Sequence, residues 1–134
     1  MQQFPLTALV TLLSLLLYVA MMLGVSWARR KYAVAPPAMT GDVRFERSVR
    51  VHANTLESLA VYLPSLWLFA AWWGDGLAAA MGIVWIVGRL IYWLGYSRGS
   101  GLRRLGFPIQ GAANIGLLLG ALLGVLRGLL EFIP

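Results

Sequence analysis

The sequence predicts an all-α integral membrane protein built as a four-helix bundle. Two observations carry that prediction. Hydrophobic residues make up 60% of the 134 residues and charged residues only 12%, whereas a soluble domain carries about 25% charged residues. The apolar residues also gather into four runs of roughly 20 residues, each long enough to cross a hydrocarbon core of ~30 Å. A chain of this length is one domain by size, so residues 1–134 are expected to form a single bundle.

The expected spans are about 5–28, 47–73, 77–97 and 107–128. The first run, Pro5 to Trp27, lacks a positive leading segment and is long for a signal sequence, so it reads as a membrane helix. The second couples the apolar stretch Leu59–Trp73 to the polar stretch "RFERSVRVHANTLE", Arg44–Glu57. The third runs from Leu77 to Tyr96 and the fourth from Phe107 to Leu126. Pro36, Pro37 and Gly41 break the chain between the first two helices, "WWGDG" forms a tight turn between the next two, and "SRGSGLRRLGFP" is a glycine-rich basic link to the last. Ala112, Gly116, Gly120, Gly124 and Gly128 recur every fourth residue. They form a smooth ridge for close helix packing, inside the bundle or between subunits.

Charge orients the chain. Arg29, Arg30, Lys31, Arg44, Arg47, Arg50, Arg98, Arg103 and Arg104 sit in or beside the first and third loops, while the second loop holds only Asp75. The positive-inside rule places loops one and three in the cytoplasm, here beneath a bacterial inner membrane, and both termini on the far side. The net charge of +6 therefore reads as membrane topology, and nucleic acid is not an expected partner. The absence of cysteine excludes disulfides and a protein thiol nucleophile, and one histidine with five acidic residues leaves no expected metal site.

The polar stretch has helical spacing. Arg47, Arg50, Asn54 and Glu57 are separated by three, four and three residues, which puts them on one face. Arg89, Tyr92, Trp93 and Tyr96 share a face of the third helix by the same rule. Glu57 lies ~24 Å from the Trp73 end of its helix, and Arg89 lies ~18 Å from the Leu77 end of the third. The two therefore reach similar depths. An unpaired charge at the membrane centre costs at least ~2.5 kcal/mol, so Glu57 is expected to pair with Arg89 or with a bound ligand. Tyr92, Trp93 and Tyr96 serve equally well as interfacial anchors. His52 falls on a different face, with no carboxylate spaced to orient it as a base. Arginine favours forked recognition of carboxylates, so these residues together suit a small polar anion with an amine, next to a bilayer that delivers an apolar co-substrate.

The run "FERSVRVHANTLESLAVYLPSLWL" resembles the E-R-x-x-R-x-x-x-N-x-x-E signature of the MAPEG family, the membrane-associated proteins of eicosanoid and glutathione metabolism. "ARRKYAVAPP" is similar to the family's arginine pair and proline-bearing loop, and "GRLIYWLGYSRGSGLRR" to the end of its third helix. The resemblance implies a homotrimer that binds glutathione between subunits near the cytoplasmic face. It implies that Arg50, Asn54, Glu57, Tyr92 and Tyr96 hold glutathione from one protomer, and that Arg29 and His52 reach it from the neighbour. Arg103 matches the arginine that stabilises the glutathione thiolate in leukotriene-forming members, and Arg30 one proposed to assist at the substrate. A free thiol of pKa ~8.5 is mostly protonated at neutral pH, and a guanidinium favours its thiolate.

This chain departs from the pattern at four places. Ser58 follows Glu57 where several glutathione-using members carry tyrosine, and His52 replaces a glutamine. Extra glycine after Tyr96 makes Arg104 the alternative to Arg103, and the fourth helix lacks a tryptophan found over the lipid substrate in some members.

The implied activity is a membrane glutathione transferase, with or without peroxidase action, acting on a lipophilic electrophile or lipid hydroperoxide. The alternative is a non-catalytic lipid-binding scaffold of the same fold. A small multidrug exporter would centre on an acidic residue in the first helix, and that span has none.

Overall fold

The computed structural model describes residues 3–132. It contains α1 (Pro5–Lys31), α2 (Val43–Trp73), α3 (Asp75–Ser97) and α4 (Arg103–Phe132). The expected helices are all present, and the polar stretch Arg44–Glu57 lies inside α2. That helix starts earlier than the expected residue 47 because Asp42 caps it, accepting from the Arg44 backbone N–H at 2.8 Å. The Arg44 guanidinium closes on the same carboxylate at 2.8 Å. Glu46 reaches back to the Gly41 N–H, also at 2.8 Å. The Arg44 side-chain hydrogen bond holds the Asp42 carboxyl down to about 2. The contribution of this cap is therefore complete above the ordinary carboxylate range and is lost as pH falls through about 2.

The other end of the bundle is closed by a second cap, this one between helices. Pro5 opens α1, and Phe4 offers no side-chain cap. The Asp75 carboxylate accepts instead from the Leu6 and Thr7 N–H groups, at 2.9 and 2.7 Å. Gly74, at φ +93°, makes the turn that delivers Asp75 there. At the opposite end, Arg29 of α1 lies 4.7 Å over the Phe45 ring of α2. The second helix thus runs the full height of the bundle, from the C-terminal end of α1 back to its N-terminal end.

Lipid-type packing explains the arrangement. Leu9, Leu12, Leu16 and Leu23 of α1 and Leu118, Leu122 and Leu129 of α4 are exposed, while Thr7, Ser14, Thr55, Ser65, Arg89 and Gln110 are buried. Apolar side chains face outward because hydrocarbon solvates them, and polar groups turn inward to find partners. The helices α1, α3 and α4 are long and apolar enough to cross a membrane, which makes this a multi-pass integral membrane protein. Four such helices were expected. By composition α2 falls outside that set, because its charged first turns, Glu57 and Pro64 dilute its apolar half.

Glycine sets the closest approaches. A Cβ on Gly88 would strike the Gln110 backbone, and one on Gly106 would strike the backbone of Tyr92 and Gly88. The backbones of α3 and α4 therefore touch at their crossing, near the buried polar side chains. The ridge on α4 lies inside the protomer: Gly120 receives the Phe69 ring, and Gly124 and Gly128 receive Trp72. The Trp73 indole donates to the Gly120 carbonyl at 2.8 Å. Ala112, the first member of that expected ridge, is exposed. Beneath these contacts Tyr62 and Trp85 stack at 4.2 Å between centroids.

Two substitutions test this packing. Gly124→Leu should lower the unfolding temperature in detergent, with an overpacking cost of about 1–3 kcal/mol. Asp75→Ala should lower the unfolding temperature in detergent by leaving the first N–H groups of α1 without a cap.

Candidate active site

The N-terminal turns of α2, the last turns of α3 and the first turns of α4 meet at one end of the bundle. There they enclose a groove in two adjoining parts. The outer part, about 800 Å³, is lined by Arg47, Arg50, Tyr96, Arg103, Arg104 and the Gly99–Gly101 loop, among others. The inner part, about 540 Å³, is lined by Arg50, Asn54, Tyr92, Tyr96, Arg103, Arg104, Phe107 and Pro108. The structure thus brings Arg50, Asn54, Tyr92, Tyr96 and Arg103 together from three helices. Glu57 joins them through Asn54, whose amide donates to the carboxylate at 3.4 Å.

Aromatic faces arrange the cations. Arg103 Cζ lies 5.4 Å from the Tyr96 ring centroid, and the Tyr96 and Tyr92 rings are 5.5 Å apart. Phe107 closes the row at 6.2 Å from Tyr92. Tyr92 is buried, Tyr96 is half-buried, and Arg50, Arg103 and Arg104 are exposed to the groove. Arg104 lines both parts of the groove beside Arg103. The loop that brings these arginines to α2 turns at Gly99, whose φ of +65° is a left-handed backbone that favours glycine.

Three expected site residues lie elsewhere on the protomer. Arg29 donates to the Val34 and Ala38 carbonyls at 3.4 and 2.7 Å, which ties down its own connector. Arg30 is exposed and, with Arg29 and Ser26, lines a separate hollow of about 530 Å³. His52 is half-buried and stacks on Tyr18 at 4.7 Å.

Of the two partners expected for Glu57, Arg89 or a bound ligand, Arg89 is not paired with it. Glu57 is exposed and Arg89 is fully buried. Arg89 donates to Asn54 Oδ1 at 2.9 Å and to Gln110 Oε1 at 2.7 Å. Its guanidinium also lies 5.4 Å from the Trp85 ring centroid and 5.1 Å from that of Tyr92. Among the described residues the one ion pair is Arg44–Asp42. Two amide carbonyls and two aromatic faces, rather than a carboxylate, therefore accommodate the buried cation.

Ser58 anchors the floor of this network. Its hydroxyl donates to Gln110 Oε1 at 3.0 Å and accepts from the Trp85 indole at 3.2 Å and the Asn114 amide at 3.0 Å. One donor and two lone pairs are thus all in use. Gln110 in turn donates to the Phe107 carbonyl at 3.1 Å. Trp85, Gln110 and Asn114 lie outside the residues expected from sequence, where Ser58 figured only as a departure from the family pattern. Gln110 and Asn114 carried a usable signal, as two amides four residues apart on an otherwise apolar helix. Among the described residues no group of His, Cys, Asp and Glu could hold a metal ion.

A multi-pass helical bundle with an arginine- and tyrosine-lined groove at one end defines the class. The sequence matches the MAPEG family over residues 7–123, and the chain belongs to that family. It is 45% identical over 119 residues to an uncharacterized protein of Synechocystis, covering 89% of this chain and 87% of that one. It is 40% identical over 132 residues to leukotriene C4 synthase of Bos taurus, covering 98% and 86%. It is 37% identical over 110 residues to microsomal glutathione S-transferase 2 of Homo sapiens, covering 81% and 74%.

Ser58→Ala should leave the Trp85 and Asn114 donors without their acceptor. The expected loss is about 1–3 kcal/mol, read as a lower denaturant or thermal midpoint in detergent.

Proposed function

We propose that the protein is a membrane-bound glutathione transferase. The observation that carries this reading is the convergence of Arg50, Tyr96, Arg103 and Arg104 on one groove, with Asn54 beside Glu57 at its inner end. Glutathione offers two carboxylates, an ammonium and a thiol. Arg50 suits a carboxylate through forked, charge-assisted hydrogen bonds. Glu57 suits the ammonium, and the Tyr92 and Tyr96 hydroxyls add neutral hydrogen bonds.

Arg103 supplies a guanidinium that would favour the thiolate, with Arg104 as the adjacent alternative. The thiol proton leaves to solvent. The sulfur lone pair forms a bond to an electrophilic carbon, and the leaving group departs with the displaced electron pair. Phe107 and Pro108, exposed residues that line the inner part of the groove, offer an apolar approach for a lipophilic acceptor. With a lipid hydroperoxide the same thiolate would attack the terminal oxygen, the O–O bond would break to release the lipid alcohol, and a second glutathione would convert the resulting sulfenic acid to glutathione disulfide and water.

The reading includes a homotrimer. Arg29, Arg30 and His52 lie away from the groove of their own protomer, so a neighbouring copy would bring them to it. It also includes a fourth crossing by α2, since that helix runs between the same two levels as α1 and α3. The arginine-rich end lies toward the cytoplasm by the positive-inside rule.

Purified protein at saturating glutathione should show thiolate absorbance near neutral pH and conjugate a generic aryl halide. Arg103→Ala should lower turnover by ~10²–10³, as removal of one electrostatic stabiliser does, while glutathione still binds. If Arg104→Ala carries that loss instead, the thiolate role moves to Arg104. Failure of the wild-type protein both to bind glutathione and to conjugate the halide would sink the reading.

A further inference from the structure

The proposed site rests on a cation that does not line it. Arg89 is fully buried beneath the groove and touches the site through a hydrogen bond to Asn54 and the face of Tyr92. A guanidinium has only donors, so it must face the amide oxygen of Asn54. A carboxylate has only acceptors, so Glu57 must face the amide nitrogen. The structure shows this arrangement, with Oδ1 toward Arg89 at 2.9 Å and Nδ2 toward Glu57 at 3.4 Å. The Asn54 amide is therefore aligned between a buried cation and an exposed anion.

The Arg89 end of this line has further partners below it. Arg89 is held to α4 by Gln110, and the same Gln110 oxygen accepts from Ser58 of α2. Rotation of the Asn54 amide would place an NH₂ group against a guanidinium with no acceptor between them. Such a flip would leave buried donors unpaired, and the buried charge raises that penalty. The orientation of Asn54 is thus fixed before any ligand arrives.

We propose that Arg89 is a positioning residue: it turns the Asn54 amide nitrogen outward, and this fixes the Glu57 carboxylate to receive the α-ammonium of the bound peptide. The inference rests on the glutathione reading above. It assigns Arg89 an effect on recognition of the amine, separate from thiolate formation at Arg103.

The test compares glutathione with its analogue lacking the α-amino group, by titration calorimetry on the purified oligomer. The wild-type protein should prefer glutathione by about tenfold or more, as expected for one charge-assisted contact. Arg89→Lys keeps the charge but loses the two-pronged geometry. It should reduce the preference to about threefold or less, with thiolate absorbance at saturation unchanged.

Asn54→Asp keeps an acceptor for Arg89 and so preserves the fold, but it removes the N–H that holds Glu57. It should lose the preference in the same way, and it carries the test if Arg89→Lys does not fold. Gln110→Met, which leaves the Arg89–Asn54 bond in place, should lower thermal stability and keep the preference. A wild-type ratio of affinities in Asn54→Asp or in folded Arg89→Lys overturns the proposal and leaves the glutathione reading standing. Failure of the wild-type protein to bind either compound removes both.

Discussion

A buried arginine with no carboxylate partner is the constraint around which this bundle is organised. Arg89 lies in a helix long and apolar enough to cross a membrane, and it is fully buried. Its charge has to be accommodated inside the protein, because lipid offers it nothing. Asn54 of α2 and Gln110 of α4 supply the carbonyl oxygens, while Trp85 and Tyr92 of α3 supply aromatic faces. Three helices are thereby tied at one level, and none can shift along its axis without breaking a charge-assisted hydrogen bond.

That tie requires close helices, and glycine provides them. Backbone contact at Gly88 and Gly106 brings Gln110 within reach of Arg89. A larger residue at either position would push α4 away and leave the guanidinium short of an acceptor. Farther along α4 the same logic seats Phe69 and Trp72 on Gly120, Gly124 and Gly128. In a bilayer, burial of apolar surface does little to drive helices together, so close contact and buried hydrogen bonds share the work. The Asp75 cap on α1 belongs to the same economy of polar groups: a carboxylate from a turn satisfies N–H groups that α1 itself leaves unpaired.

The groove grows out of this scaffold. Asn54 has one side in the buried network and the other in the groove, so the elements that hold the bundle together also define the floor of the site. Tyr92 does the same, lying under the Arg89 guanidinium while lining the groove. The arginines above them, Arg50, Arg103 and Arg104, come from helix starts on α2 and α4 and remain exposed. The rigid floor and the cationic rim therefore have different origins. The floor is fixed by internal hydrogen bonds, and the rim is positioned by the turn at Gly99 and the ring of Tyr96.

The sequence by itself determined the four helices, the membrane class and the polar face of α2, because hydropathy and a 3.6-residue period act locally along the chain. It also put Arg50 with Asn54 on one face of α2 and Tyr92 with Tyr96 on one face of α3, since helical spacing is local, whereas Arg103 entered only through the family resemblance. Tertiary structure alone decided which groups met. Glu57 and Arg89 reach similar depths, yet Arg89 points between α2 and α4 while Glu57 stays exposed, and helix rotation and crossing choose between those outcomes. Depth along a helix can be counted from sequence. The partner of a buried charge depends on which faces are turned together, and here it was an asparagine and a glutamine on two different helices.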